Sequence, residues 1–443
     1  MIYFGLVLSS LTELLERLID LGAFYLSPTR LFLLVLAFVT YVGYCGASSQ
    51  SWKIGPSARR FAAAVMALIL LTALSVTASS DFSYSGKRAL NTTSIYLMPL
   101  VVYLYLCVNS AKYPPDQLLR KTGKCIVYSG LTVALVGFLQ EATGVFQLSS
   151  EVRFLGPIPY TRINSLYMDG NFLSYFLLFP LWLAIAGGEP LTGITSRGAR
   201  WTIAAIIFFA LLLSGSRGGL LMLAAAWGSH MLYRLANGRR GLVMFVELPC
   251  MVLLPLLLLA YAYYGFENIV ANVNSLDTGN ESGFSRVLAW YSGLKIYFQH
   301  PWTGVGPGNF VTMDKGNLLP VNYVYPWVAE RISTLAGHSN VLEILVESGP
   351  FTLAAYFMVQ LSLYLALLRA SVTQGDQRFA VYRSIVFSTV IGNLLISYYF
   401  LFFMILIGVL LFALDRDVFL RAAPRPGSAA AMPARAPAWM GAR

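Results

Sequence analysis

The sequence predicts an all-α protein, a polytopic transmembrane helix bundle of about 12 spans with one large loop domain outside the bilayer. Three observations carry this. Of 443 residues, 57% are hydrophobic and 12% charged, about half the charged share of a soluble domain. Apolar runs of about 17–25 residues recur, the length that crosses about 30 Å of hydrocarbon. The runs do not alternate, which excludes a transmembrane barrel of roughly ten-residue strands.

The net charge of +11 is read as loop charge facing anionic lipid, together with an anionic substrate; no nucleic acid is implied. Cys45, Cys107, Cys125 and Cys250 lie in or beside apolar runs, without metal or redox spacing, and read as core. The N-terminus carries Glu13, Glu16, Arg17 and Asp20 instead of a basic n-region, so no cleavable signal peptide is expected.

Residues 3–26 read either as a polar first span or as an amphipathic interfacial helix. Clearer spans follow at 31–47, 61–79, 94–109, 125–146, 171–187, 201–214, 219–233, 242–264, 350–368, 384–398 and 400–414. Residues 1–264 thus hold helices 1–9 with short loops, 265–347 a large loop, and 348–415 the C-terminal helices. The Ala/Pro-rich tail 416–443 is expected to be disordered and cytoplasmic.

Lys and Arg set the orientation. Lys53, Arg59, Arg60, Lys112, Arg120, Lys121, Lys124, Arg197, Arg200, Arg234, Arg239, Arg240, Arg369, Arg378 and Arg383 fall in one set of short loops, assigned to the cytoplasm. The other set is poorer: Arg30, Lys87, Arg88, Arg153, Arg162 and Arg217. The 265–347 loop falls on that outer side. At about 80 residues it far exceeds the usual helix connection, and its aromatic content predicts that it folds against the bundle. Within it, 285–299 reads as a helix, broken by Pro301 and followed by a Gly-rich turn series through Gly308.

Chemistry concentrates at the outer side. In 331–352 an aqueous loop carrying Gly337-His338-Ser339-Asn340 re-enters an apolar run; histidine is the side chain suited to exchange a proton near neutral pH. Arg217 sits in the short turn Ser214-Gly215-Ser216-Arg217-Gly218-Gly219, and Arg286 opens the loop helix. Arginine binds phosphate oxygens bidentately and does not deprotonate, so several around one histidine suit a diphosphate. Arg217 can equally snorkel to lipid phosphates, and Arg286 can cap or pair with Glu281. For Lys87, Arg88, Arg153 and Arg162 an interfacial role is the simpler reading. No Asp-x-Asp pair, His cluster or Cys pair indicates a metal, and no Gly-rich nucleotide loop precedes a helix. Glu330 or Glu343 could orient the imidazole, whereas the spacing of Glu347 puts it near the opposite helix face.

His338-Ser339, followed by nine residues, Gly349, two residues and Thr352, resembles the motif of bacterial O-antigen ligases. The Ser214–Gly219 turn, the stretch from His300 to Phe310 and Asp169-Gly170-Asn171 are similar to signatures of the wider ligase and polymerase superfamily. Ser339 stands where many relatives have Asn. The resemblance covers about residues 30 to 415 and implies an inverting, metal-independent glycosyltransferase of the C type without a cofactor. It implies transfer of O-antigen from undecaprenyl diphosphate to the lipid A-core oligosaccharide, in the inner membrane of a Gram-negative bacterium with the active site facing the periplasm. It places the essential histidine at His338 and diphosphate-binding arginines at Arg217 and Arg286; Lys87, Arg88 and Arg162 are further candidates for substrate contact. An O-antigen polymerase or a protein O-oligosaccharyltransferase would use the same donor. A transporter would instead show internal repeats and midplane polar sites, which the sequence does not display.

Overall fold

The computed structural model describes residues 1–11, 28–46, 54–144, 152–155, 158–167, 169–236, 239–264, 281–313, 339–373, 375–395 and 401–415. It is a helical bundle. The helices are α1 (Ile2–Leu11), α2 (Pro28–Gly46), α3 (Pro56–Val76), α4 (Phe82–Val108), α5 (Pro115–Thr143), α6 (Gly170–Trp182), α7 (Gly188–Thr192), α8 (Arg197–Leu213), α9 (Arg217–Leu235), α10 (Arg240–Tyr264), α11 (Glu281–Gln299), α12 (Asn309–Thr312), α13 (Asn340–Thr373), α14 (Gln377–Gly392) and α15 (Leu401–Leu414). A π-type turn, Leu183–Gly187, joins α6 to α7.

Among the described residues, seven helices are long and apolar enough to cross a membrane: α2, α3, α4, α5, the α6–α7 unit, α10 and α13. This is a multi-pass membrane protein. The other five predicted spans also contain helices, α1, α8, α9, α14 and α15, outside that length-and-hydropathy class. The described part of the 3–26 segment, α1, packs into the bundle against α5 and α15; residues 12–26 lie outside the described residues, as does the 416–443 tail.

Polar residues set the helix ends. Asp81, Asp169, Ser196, Ser216 and Asp376 each accept a backbone N–H in the first turn of α4, α6, α8, α9 and α14. The start of α3 is capped from a distance. Asp415, just past α15, accepts from Ser57 N (3.0 Å) and Ala58 N (3.1 Å). That contact ties the end of the bundle to its beginning.

The core lies around α6, α14 and α15. From Phe379 to Gly392 and from Leu401 to Ala413 every residue is buried. A helix that is apolar on all sides belongs in the middle of a bundle. The side chains of α2 and α10, by contrast, are largely exposed and apolar, as lipid-facing helices are.

Two expectations need correction, and the start of α13 is defined. The α5-to-α6 connection is long, running from Gly144 to Asp169, and carries an antiparallel hairpin of β1 (Val152–Leu155) and β2 (Ile158–Thr161), with Val152 opposite Thr161. Helix α13 starts at Asn340, within the 331–352 stretch read as re-entering an apolar run, because Val341, Leu342, Leu345 and Val346 form a buried stripe at helical spacing. Arg383 is no loop charge: it lies within α14, wholly buried, and pairs with Glu247.

Candidate active site

The site is built on the first turns of α6 and α9. Helix α8 ends where Ser214 Oγ donates to Leu211 O, and Gly215 takes a positive φ of 64° to turn the chain. Ser216 then caps α9 by accepting from Gly219 N at 3.2 Å. This puts Arg217 at the first helical position with an exposed side chain. Gly219 lets α9 press on α6: a Cβ there would lie 2.6 Å from the Ser174 side chain.

The α5–α6 connection brings a second arginine to this turn. Arg162 Nε donates to Ser214 O at 2.7 Å, and its Nη2 lies 3.1 Å from Asp169 Oδ1. Asp169 also caps α6 by accepting from Asn171 N at 2.8 Å. Gly170 is required between them, since a Cβ would meet Arg162 Nε at 2.6 Å and Ser214 O at 2.7 Å. The segment 161–167 is stapled along its length. Thr161 N donates to Glu141 Oε1, Ile163 N to Leu213 O, and Ser165 Oγ to Val133 O. Tyr167 Oη donates to Ser10 O. Arg162 is therefore held on a fixed backbone.

Arg286, on α11, completes the group. Burial lowers the proton affinity of its guanidinium; the Asp169 carboxylate opposes that, while the positive charges of Arg162 and Arg217 add to it. Three guanidinium groups and one carboxylate thus share one electrostatic environment. The N-termini of α6 and α9 add the positive ends of two helix dipoles. The excess of positive charge at these helix starts is chemistry that could hold an anion.

Residues 202–357 match the family model described as O-antigen ligase. No curated protein matches the chain. The match supports a membrane enzyme of the O-antigen ligase or polymerase type. The matched segment contains Arg217, Arg286 and the 338–352 motif; Arg162, Asp169, Lys87 and Arg88 precede it.

His338, at the centre of that motif, lies outside the described residues. The two residues that follow it are placed. Ser339 Oγ accepts from Leu342 N, starting α13, and Asn340 Nδ2 donates to Asn393 Oδ1 at 3.2 Å. Asn393 ends α14. That end is pressed between α6 and α9: a Cβ on Gly392 would strike the Tyr175 hydroxyl and lie 2.5 Å from Met222 Sδ. The start of α13, within the segment that matches the family model, is therefore linked, through α14, to the two helices that begin at Gly170 and Arg217.

Lys87 and Arg88 lie on α4. Lys87 is exposed in the second turn of α4. Arg88 donates to Tyr84 Oη through Nε (3.2 Å) and Nη2 (3.1 Å), and lies against Gly308 and within electrostatic reach of Glu347. Gly304, Gly306 and Gly308 all have positive φ, and Val305 N and Gly306 N donate to Val346 O and Glu347 O. This Gly-rich turn is a packing wedge between α4 and α13. Glu347 accepts from Phe310 N at 3.3 Å, so it supports the wedge. Among the described residues, no group of three or more His, Cys, Asp or Glu side chains could hold a metal ion.

Asp169 and Asn393 had no assigned role from sequence. For Asp169 a signal existed: an Asp directly before an apolar span reads as a helix cap, and Arg162 is seven residues upstream. Asn393 offered none, because its importance lies in a contact 53 residues away in sequence.

Proposed function

We propose that this chain is an inverting glycosyltransferase that moves O-antigen polysaccharide from undecaprenyl diphosphate to the lipid A-core oligosaccharide at the periplasmic face of the inner membrane. The observation that carries this reading is that Arg162 pairs with Asp169 and bonds the turn before Arg217, and that Arg286 feels the charges of all three. A charged group of this kind at a bundle end suits a lipid-borne diphosphate, whose tail the apolar helices can accept. Arg217 and Arg286 bind the phosphate oxygens and stabilise the charge that grows on them as the glycosidic bond breaks. His338 accepts the proton of the acceptor hydroxyl as its oxygen attacks the anomeric carbon. The leaving lipid diphosphate keeps the bonding electron pair. The preference for a ligase over a polymerase rests on the spacing from His338 to Gly349 and Thr352.

Two experiments test this reading. Purified protein given lipid-linked O-antigen and core acceptor should form the conjugate and keep its activity after prolonged EDTA treatment; a strict need for divalent ions would contradict the metal-free mechanism. In cells, deleting the protein should remove core-attached O-antigen and leave polymer on the lipid carrier. Shortened polymer that is still attached to core would point to a polymerase.

A further inference from the structure

The arginine group has a carboxylate inside it that an anion site does not need for binding. Asp169 Oδ1 lies 3.1 Å from Arg162 Nη2, and Asp169 also acts on Arg286. Three arginines and one aspartate leave the empty group with two positive charges. A diphosphate esterified at both ends carries about two negative charges, one on each phosphate. The product differs. Transfer breaks the bond between the anomeric carbon and the diphosphate oxygen and forms one to the acceptor oxygen, whose proton goes to the base. The lipid diphosphate is left with a terminal phosphate whose second ionisation falls near pH 6, so it gains close to one further charge at neutral pH.

We propose that Asp169 matches the charge of the arginine group to the donor diphosphate and against the more anionic product, so that the spent lipid diphosphate is released. This rests on the diphosphate reading above. Asp169 is a positioning residue in this scheme: it acts through Arg162, which it holds onto Ser214 O at the turn before Arg217. It is also a counter-ion to Arg162, by contact, and to Arg286, through space. Without it, the third arginine charge is matched only by the product.

The test uses the full-length enzyme in lipid nanodiscs. Asp169→Asn keeps the cap on Asn171 N and an oxygen for Arg162 but removes the charge, and Asn is as good a helix cap as Asp. The probes are a polyprenyl diphosphate (product) and a polyprenyl diphosphate sugar (donor). Asp169→Asn should raise product affinity by about tenfold more than donor affinity, from one extra charge interaction in a partly screened site. Steady-state kcat should drop, with a burst of the first turnover, while KM for donor does not rise. Asp169→Glu should restore the wild-type ratio of the two affinities. An unchanged or reduced ratio in Asp169→Asn overturns the proposal, and so does a Glu variant that behaves like Asn. Arg217→Gln separates this from the underlying reading: it should weaken donor and product alike. If it weakens neither, the diphosphate site itself is wrong, whatever Asp169 does.

Discussion

Arg383 on α14 and Glu247 on α10 form an ion pair with both side chains fully buried. Tyr364 of α13 donates to the same Glu247 Oε2 at 2.5 Å, and Arg383 Nη2 donates to Ser229 O of α9 at 3.0 Å. The guanidinium also lies over the rings of Tyr233 and Tyr364, 5.4 and 5.9 Å from their centres. One arginine thus joins four helices.

Breaking this pair from one side strands a buried charge. Arg383→Ala or Glu247→Ala should destabilise by about 3–5 kcal/mol, while replacing both with Met should recover most of that loss. Thermal unfolding of the detergent-solubilised protein, read as a double-mutant cycle, decides the matter. Single variants that melt like wild type would show that the pair contributes little.

Gly349 kinks α13 with φ 79° and ψ 178°, a conformation open essentially to glycine alone. A Cβ there would also lie 2.1 Å from Trp302 O. Gly349→Ala should cost at least about 1–3 kcal/mol from backbone strain alone and lower the yield of folded protein. Gly86, inside α4 with open space around its Cβ position, is the control; Gly86→Ala should be neutral or stabilising by about 0.5–1 kcal/mol. Equal melting temperatures for the two variants would refute the account of the kink.

His338→Ala should lower turnover by about 10²–10⁴-fold, the usual contribution of a general base, with donor affinity retained. Loss of donor affinity with turnover preserved at saturation would make His338 a substrate-binding group instead.

Arg217 is exposed at the first position of α9, so its substitution should leave the fold intact. Arg217→Lys keeps the charge and loses the bidentate fork. Donor binding should weaken and kcat fall, with unchanged melting. Wild-type kinetics in this variant would mean that Arg217 only reaches for lipid headgroups.

The helices were legible because hydrocarbon imposes a length and a composition that any reader of the chain can measure. Arg217 and Arg286 were legible because arginine is costly at a membrane boundary and stands out there. Arg383 was misread for the same reason. Five residues after Arg378 in the chain, it looked like one more cytoplasmic loop charge, and its partner Glu247 is 136 residues away. The hairpin before Asp169 was missed because two strands of four residues each leave no periodic trace.

By itself the sequence determined that this is a polytopic helical protein, where its apolar helices run, and which arginines and histidine deserve attention. It did so because burial in a bilayer constrains each segment separately. Only the tertiary structure decided that Arg162 and Asp169 join Arg217 and Arg286, and that Arg88 packs against the Gly-rich wedge. Electrostatic and hydrogen-bonded groups assemble from residues distant in the chain, and their meeting depends on how helices pack, which no local stretch of sequence encodes.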